Sequence, residues 1–394
     1  MDLRGISSTD IFIPAGQQSQ LEELANNALS KGIDLYMRQD YEGAVKEFRR
    51  SIGLAPNSSS SVDAASYMAD AHLASEDTEG AMKAYKTALR LNPFRDDIHI
   101  SLGNLYFAEE RYEESGKSYE KAVKLWPVAD NHYALGQAYM NAGRYKDAEA
   151  QFNEVVRIDP DNPDGNYGLG LNYARQGRYE DAIVQFKAAV DIDNEFYDSY
   201  AELGYAYAEL GEMEESQRIV DFLDNVDPGL GDTLSRYMYK VDPPKFMFAH
   251  ATSGFNYNMP WKTPLSALNG YLATPNAEKT FTMNFQFDKE MDRESIENVL
   301  NWGIGRSTQN GPGQAYNFNR PISDTEVTLP PFPKHVYYDQ DNLTATVYFT
   351  VRQNPTGDGT LDPVHLEFKF NGEDAYGNKM DPDFDQFMGF SGVA

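Results

Sequence analysis

One segment of about 34 residues returns along this chain, and a repeat of that length leaves few folds open. RYEDAIVQFKAAV (178–190) reappears as RYKDAEAQFNEVV (144–156), RYEESGKSYEKAV (111–123), DTEGAMKAYKTAL (77–89) and DYEGAVKEFRRSI (40–52). Aligned on the small residue that follows the first acidic positions, Ala44, Ala81, Ser115, Ala148, Ala182 and Ser216 stand 37, 34, 33, 34 and 34 residues apart. A unit this short encloses no core of its own and must stack on its neighbours, so a fixed period of this size predicts a repeat architecture. The stretch GLGLNYARQGRYEDA (168–182) contains a Gly-x-Gly that might open a dinucleotide-binding loop. No strand precedes it, and the same spacing recurs in other copies, so it is a repeat position and not a phosphate cradle.

Composition narrows the class further. At 394 residues the chain exceeds one ordinary core. Its 61 acidic against 34 basic residues, a formal net charge of −27, disfavour nucleic acid and anionic membranes and favour basic or neutral partners. With no cysteine, disulfides, thiol catalysis and thiolate metal sites are excluded. No apolar run of about 18 residues is present.

The repeat resembles the tetratricopeptide repeat (TPR) over residues 25–229. The Leu-Gly-x-x-Tyr signature of the first helix of each pair, helix A, stands as Leu102, Gly103 and Tyr106; Leu135, Gly136 and Tyr139; Leu169, Gly170 and Tyr173; and Leu203, Gly204 and Tyr207. The second helix, helix B, shows the small, aromatic, small and terminal Pro pattern as Ala81, Tyr85, Ala88 and Pro93, then Ser115, Tyr119, Ala122 and Pro127. Departures fall at the ends: Leu35 in the first copy, Ala69 and His72 in the second, Val220 and Leu223 in the sixth. Ser-rich APNSSSSVDA (55–64) reads as a loop insertion of three residues, and TLSRYMYKV (233–241) as a capping helix. The resemblance implies antiparallel helix pairs whose helix A faces line a groove that holds a protein segment. Its lining here is Ile33, Tyr36, Leu73, Asn104, Phe107, Tyr133, Gln137, Met140, Tyr167, Leu171, Arg175 and Tyr205, with Leu29, Met37, Asp70, Asn141 and Glu209 beside them. Family members that clamp a C-terminal carboxylate place Lys and Arg where this chain has Asp97, Ile100, Ser101, Asp130, Tyr133 and Ala134, so that clamp is absent.

From about residue 242 the pattern changes to two-residue alternation, the mark of half-buried strands. Phe281, Met283, Phe285 and Phe287 share one face; so do Leu343, Ala345, Val347, Phe349 and Val351, and Val364, Leu366, Phe368 and Phe370. FDKEMDRESIEN (287–298) and GEDAYGNKMD (372–381) are similar to the bacterial Ig-like module of surface-layer proteins, over residues 278–390. Phe287, Met291, Asp292, Ser295, Asp374, Gly377, Asn378 and Met380 carry that resemblance, and GRSTQNGPGQAYNFNRPIS departs from it.

Chemistry-bearing motifs are sparse. The six histidines form no HExxH pair, and His99 and His132 occupy packing positions of helix A. DPDNPDGN (159–166) starts like a calcium loop, but Pro163 stands at the fifth ligand place and no Glu closes it. Expected, then, is a multidomain α and β chain: an N-terminal tail (1–20), an α-solenoid of six TPR helix pairs with a capping helix (21–241), and an antiparallel Ig-like β-sandwich (242–394). The function read from it is a non-enzymatic protein-interaction scaffold, without cofactor or metal, holding an apolar or amphipathic segment with basic flanks and offering a second surface on the β-domain. Self-assembly into a homo-oligomer or filament at a bacterial cell surface is the leading setting, reached by a non-Sec route because MDLRGISSTDI lacks a basic and apolar leader. The alternatives are a cytoplasmic adaptor or chaperone for an exported protein, and an enzyme using carboxylates such as Asp288 and Glu290 near HVYYD.

Overall fold

Thirteen helices follow one another before the first strand in the computed structural model, which describes residues 15–309, 311 and 313–389. They are α1 (Ala15–Met37), α2 (Tyr41–Leu54), α3 (Ser59–Ala74), α4 (Thr78–Leu91), α5 (Asp96–Ala108), α6 (Tyr112–Leu125), α7 (Ala129–Asn141), α8 (Tyr145–Ile158), α9 (Asp164–Ala174), α10 (Tyr179–Ile192), α11 (Tyr197–Glu209), α12 (Met213–Val226) and α13 (Pro228–Val241). Odd-numbered members from α1 to α11 are the helices A and even-numbered members the helices B. Contacts divide the chain into two compact units, Met1–Leu234 and Ser235–Ala394.

Each helix pair closes through an aromatic ring of helix B laid on a glycine of helix A. A Cβ at Gly32, Gly103, Gly136 or Gly170 would stand 2.5, 2.6, 2.7 or 2.5 Å from the ring of Phe48, Tyr119, Phe152 or Phe186. Real side-chain carbons do not approach so closely, so only glycine permits this packing. The recurring small residue of helix B completes the approach: Ala44, Ala81, Ala148 and Ala182 are fully buried. Where it is serine, the hydroxyl is spent on the facing helix, Ser115 Oγ on the Gly103 carbonyl and Ser216 Oγ on that of Gly204, both at 2.9 Å. Pairs then lock to each other through stacked cations. The guanidinium groups of Arg111, Arg144 and Arg178 lie 4.8, 4.1 and 4.2 Å from the rings of Tyr106, Tyr139 and Tyr173. The hydroxyls of Tyr139 and Tyr173 donate to Glu120 and Glu149 of the preceding pairs.

Three boundaries differ from the sequence reading. Residues 15–20, assigned to the tail, open α1, because Leu21, Ala25 and Ala28 fall on one face that α2 covers; residues 1–14 lie outside the described residues. The serine-rich insertion is not a loop: Ser58 caps α3 by accepting from the Ser61 N–H, and the extra residues lengthen that helix. Helix α13 starts at Pro228 and not near Thr233, proline being well placed in a first turn. The unit division also falls within it, seven residues before the expected boundary at 241/242.

The second unit contains nine strands: β1 (Phe246–Ala249), β2 (Thr263–Pro264), β3 (Glu278–Phe287), β4 (Trp302–Arg306), β5 (His335–Asp339), β6 (Thr344–Arg352), β7 (Thr360–Leu361), β8 (Leu366–Phe370) and β9 (Gln386–Met388). They form a four-stranded sheet in the order β1-β3-β6-β5, a three-stranded sheet β4-β8-β9 and a short β2-β7 pair, antiparallel throughout. The inward rings of the two larger sheets meet: Phe285 is 5.3 Å from Phe368 and 5.7 Å from Trp302, and Phe287 is 5.7 Å from Phe370. The expected faces of β3, β6 and β8 are buried, except that Leu343 is a turn residue with φ of 52° and Val364 precedes its strand in a 3-10 turn. The 306–323 insertion is pinned from beneath. Asp362 accepts from the Asn317 N–H and from His365 Nδ1, each at 2.8 Å, while His365 Nε2 reaches the Gly313 carbonyl at 2.7 Å.

Residues that carried the second resemblance form one buried polar joint. Gly377 turns the chain with φ of 88°, and Asp374 accepts from the N–H groups of Tyr376 and Asn378. The other partner of Asp374 is Lys289, at 3.5 Å, both side chains being almost fully buried. Lys289 also donates to the carbonyls of Tyr239 (2.6 Å) and Asp242.

Two stability predictions follow from these contacts. Gly136→Val, which drives a side chain into Phe152, is expected to cost about 1–3 kcal/mol in urea denaturation, whereas Gly53→Ala, a helical site with open space around it, gains about 0.5–1 kcal/mol. Lys289→Met strands the Asp374 carboxylate and is expected to cost about 3–5 kcal/mol, read on the unfolding of the second unit by the fluorescence of buried Trp302; adding Asp374→Asn recovers part of it.

Candidate protein-binding groove

The helices A make one continuous wall, since α1 packs on α3, α7 on α9 and α9 on α11. Along α9 the residues Tyr167, Leu171 and Arg175 recur every fourth place and share a face; Tyr133, Gln137 and Asn141 do the same from α7 into its end.

The wall has two chemically distinct stretches. In the second and third repeats the helix B ring is a tyrosine, and its hydroxyl crosses to helix A, from Tyr85 to Asp70 at 2.9 Å and from Tyr119 to Asn104 at 2.5 Å. In the fourth and fifth repeats the ring is Phe152 or Phe186, and helix A answers with a tyrosine laid over it, Tyr133 at 5.6 Å and Tyr167 at 6.0 Å. Tyr167 also lies 4.8 Å from Phe196. Both tyrosines are half-buried. Burial pushes the Tyr133 phenol up to about 12, with Asp164 adding to it. The Tyr167 phenol is raised more, by burial and then by Glu202 and Asp198.

Most predicted lining residues reach this wall, in different states. Ile33, Tyr36, Phe107, Gln137, Leu171 and Tyr205 are half-buried, Tyr36 against Tyr41 and Phe107 against Tyr112. Leu73 is 39% exposed. Arg175 bridges two repeats by donating to Asn141 Oδ1 at 3.0 Å. Asn104 is exposed, but its side-chain oxygen is committed to Tyr119. Met140 is a correction: it is 4% exposed and packs in the core with Tyr119, Leu135 and Phe152, because its place on α7 turns toward the neighbouring pair.

Sequence reasoning passed over Asp164, Asp198 and Glu202. The signal was available for the first two, since each takes the helix A place of Asp130 one or two repeats on. Burial raises the Glu202 carboxyl above its ordinary value, Asp198 adds like-charge repulsion, and Arg175 opposes both. Asp164 is raised by burial as well.

The other candidate chemistry resolves into packing. His132 is buried with Nδ1 at 2.8 Å from Gln151, and His99 faces the Pro93 carbonyl. In the DPDNPDGN turn, Asn162 receives the Asp164 N–H. Asp288 accepts from the Lys245 N–H, and Glu290 from the Gln340 amide, so the two carboxylates are engaged separately. Among the described residues no group of three or more His, Asp or Glu is arranged to hold a metal, and no helix is long and apolar enough to cross a membrane.

Comparison with known proteins bears on the helical unit. Residues 68–130, 133–195 and 173–232 match tetratricopeptide repeat models. Anaphase-promoting complex subunit 3 of Schizosaccharomyces pombe is 31% identical over 83 residues, 21% of this chain and only 12% of that protein. Among solved structures, PilF of Pseudomonas aeruginosa is 17% identical, with 55% of this chain and 99% of that one covered and a TM-score of 0.40. YrrB, described as a TPR protein with an unusual peptide-binding site, is 21% identical, covering 48% and 97%, with a TM-score of 0.39. The helical unit of this chain is built of tetratricopeptide repeats, a scaffold for protein–protein interaction.

Proposed function

We propose that the chain is a non-enzymatic scaffold that holds an extended or amphipathic apolar segment of a partner protein along its helix A wall. The observation that carries this reading is the pair of half-buried tyrosines, Tyr133 and Tyr167, one repeat apart and each backed by a phenylalanine. Rings held in place in this way offer contact area at low entropic cost, which is what interface anchors provide.

We further propose that the second unit is an Ig-like module that adds a second contact surface. Its strand order supports this. Lettering β1, β3, β4, β5, β6, β8 and β9 as A to G turns the two sheets into ABED and CFG, the constant-type arrangement. Trp302 lies on the C strand, as the buried Trp of that fold does, and Phe285 and Phe368 meet between strands B and F where other members place a disulfide. Exposed Met247, Phe248 and Phe384 beside a cavity of about 310 Å³ are the apolar surface such a module would use. A self-assembled cell-surface location is part of the same proposal; the rival is a cytoplasmic adaptor or chaperone. Fractionation of native cells separates them, since recovery from sheared surface material supports the first and recovery from cytosol alone the second.

The groove reading is tested by panning a random peptide library of about 12 residues against the full-length protein. Enriched peptides are expected to bind, and the double substitution Tyr133→Ala, Tyr167→Ala to weaken them by about 1–2 kcal/mol per ring with helix content unchanged. Peptides indifferent to both rings would remove the wall as the binding site.

A further inference from the structure

Cations are distributed unevenly between the two layers of the solenoid. Every helix B, from α2 to α12, carries at least one Lys or Arg. Helices α3, α5, α7, α9 and α11, the wall of repeats two to six, contain none. Burial of the helices A does not explain this, because the same helices carry carboxylates in every repeat. Helix dipoles account for aspartates in a first turn, but not for Glu202, which stands in the middle of α11.

The imbalance is sharpest where the tyrosine platform lies. In the second and third repeats the wall carboxylates are occupied, Asp63 and Asp97 by Arg95 and Asp70 by Tyr85. In the fourth to sixth repeats Asp130, Asp198 and Glu202 have no hydrogen-bond or ion-pair partner among the described residues, and Asp164 has only Asn162. Asp198 and Glu202, four residues apart on α11, share a face beside Tyr167 on the adjoining α9. The single neighbouring cation, Arg175, is already committed to Asn141.

We propose that this stretch is a cation-reading subsite: the partner segment presents Lys or Arg side chains that stack on Tyr167 and Tyr133 and pair with Glu202, Asp198 and Asp164. The charge sense is opposite to that of the carboxylate clamp, which the aspartates exclude. An alkylammonium or guanidinium placed there gains cation–π attraction and paired carboxylates together, in a partly desolvated groove where both count for more than in water. It also relieves the repulsion between Asp198 and Glu202. The inference rests on the groove reading above.

The test uses peptides enriched from the same library, each also made with every Lys and Arg replaced by Gln, titrated by fluorescence anisotropy against the wild-type chain, Glu202→Gln, the double Asp198→Asn, Glu202→Gln, and the exposed helix B control Glu180→Gln. Enrichment of Lys and Arg is expected. So is a loss of about tenfold or more on replacing them and a comparable loss in the double variant, with affinity falling as salt rises and the control unaffected. Peptides that bind through the tyrosines but change less than about twofold when their cations are replaced would overturn the subsite and leave the groove. No enrichment at all would overturn both. Glu202→Gln removes a carboxylate that burial already disfavours, so the variant is expected to stay folded, checked by its helix content.

Discussion

The contact on which the helical unit depends is an aromatic ring pressed against a glycine. Because Gly32, Gly103, Gly136 and Gly170 lack a Cβ, the rings of Phe48, Tyr119, Phe152 and Phe186 reach the backbone of the facing helix. That approach sets the distance within each pair, and the pair distance sets how the next repeat can stack. The ends of the array show what happens when the rule is relaxed. The second repeat has Ala69 in the glycine place, and at Gly204 the intruding group is Leu234 of α13, at 2.3 Å from an added Cβ, in place of a ring from its own helix B. A terminal repeat has no following pair, and α13 supplies the missing surface.

The same contact decides the character of the wall. A tyrosine in the ring place sends its hydroxyl through to helix A, where it occupies Asp70 or Asn104 and makes that stretch polar and self-satisfied. A phenylalanine has no such handle, so the stretch above Phe152 and Phe186 is covered by tyrosines from helix A and leaves the nearby carboxylates without partners. One oxygen atom per repeat therefore separates a closed half of the groove from an open one.

In the second unit the organising joint is polar. Lys289 and Asp374 are buried together, and each completes the bonding of a separate turn, the acidic turn after β3 and the Gly377 turn before β9. Breaking one partner leaves a charge without solvent, which is why such a joint specifies a geometry more than it adds net stability.

The periodicity of small residues and Leu-Gly-x-x-Tyr by itself determined the helix pairs, their number and the residues of the wall, because stacking requires the same residue type at the same place in every copy. Two-residue alternation likewise determined the buried faces of β3, β6 and β8, since a strand has no other way to present a core. Tertiary structure decided the rest. It buried Met140, committed Asn104, turned the serine insertion into a helical turn and moved the start of α1 to Ala15, because each depends on a neighbour that periodicity does not name. It also brought Glu202 on α11 beside Tyr167 on α9, a proximity between residues 35 places apart that exists only once the helices A are stacked.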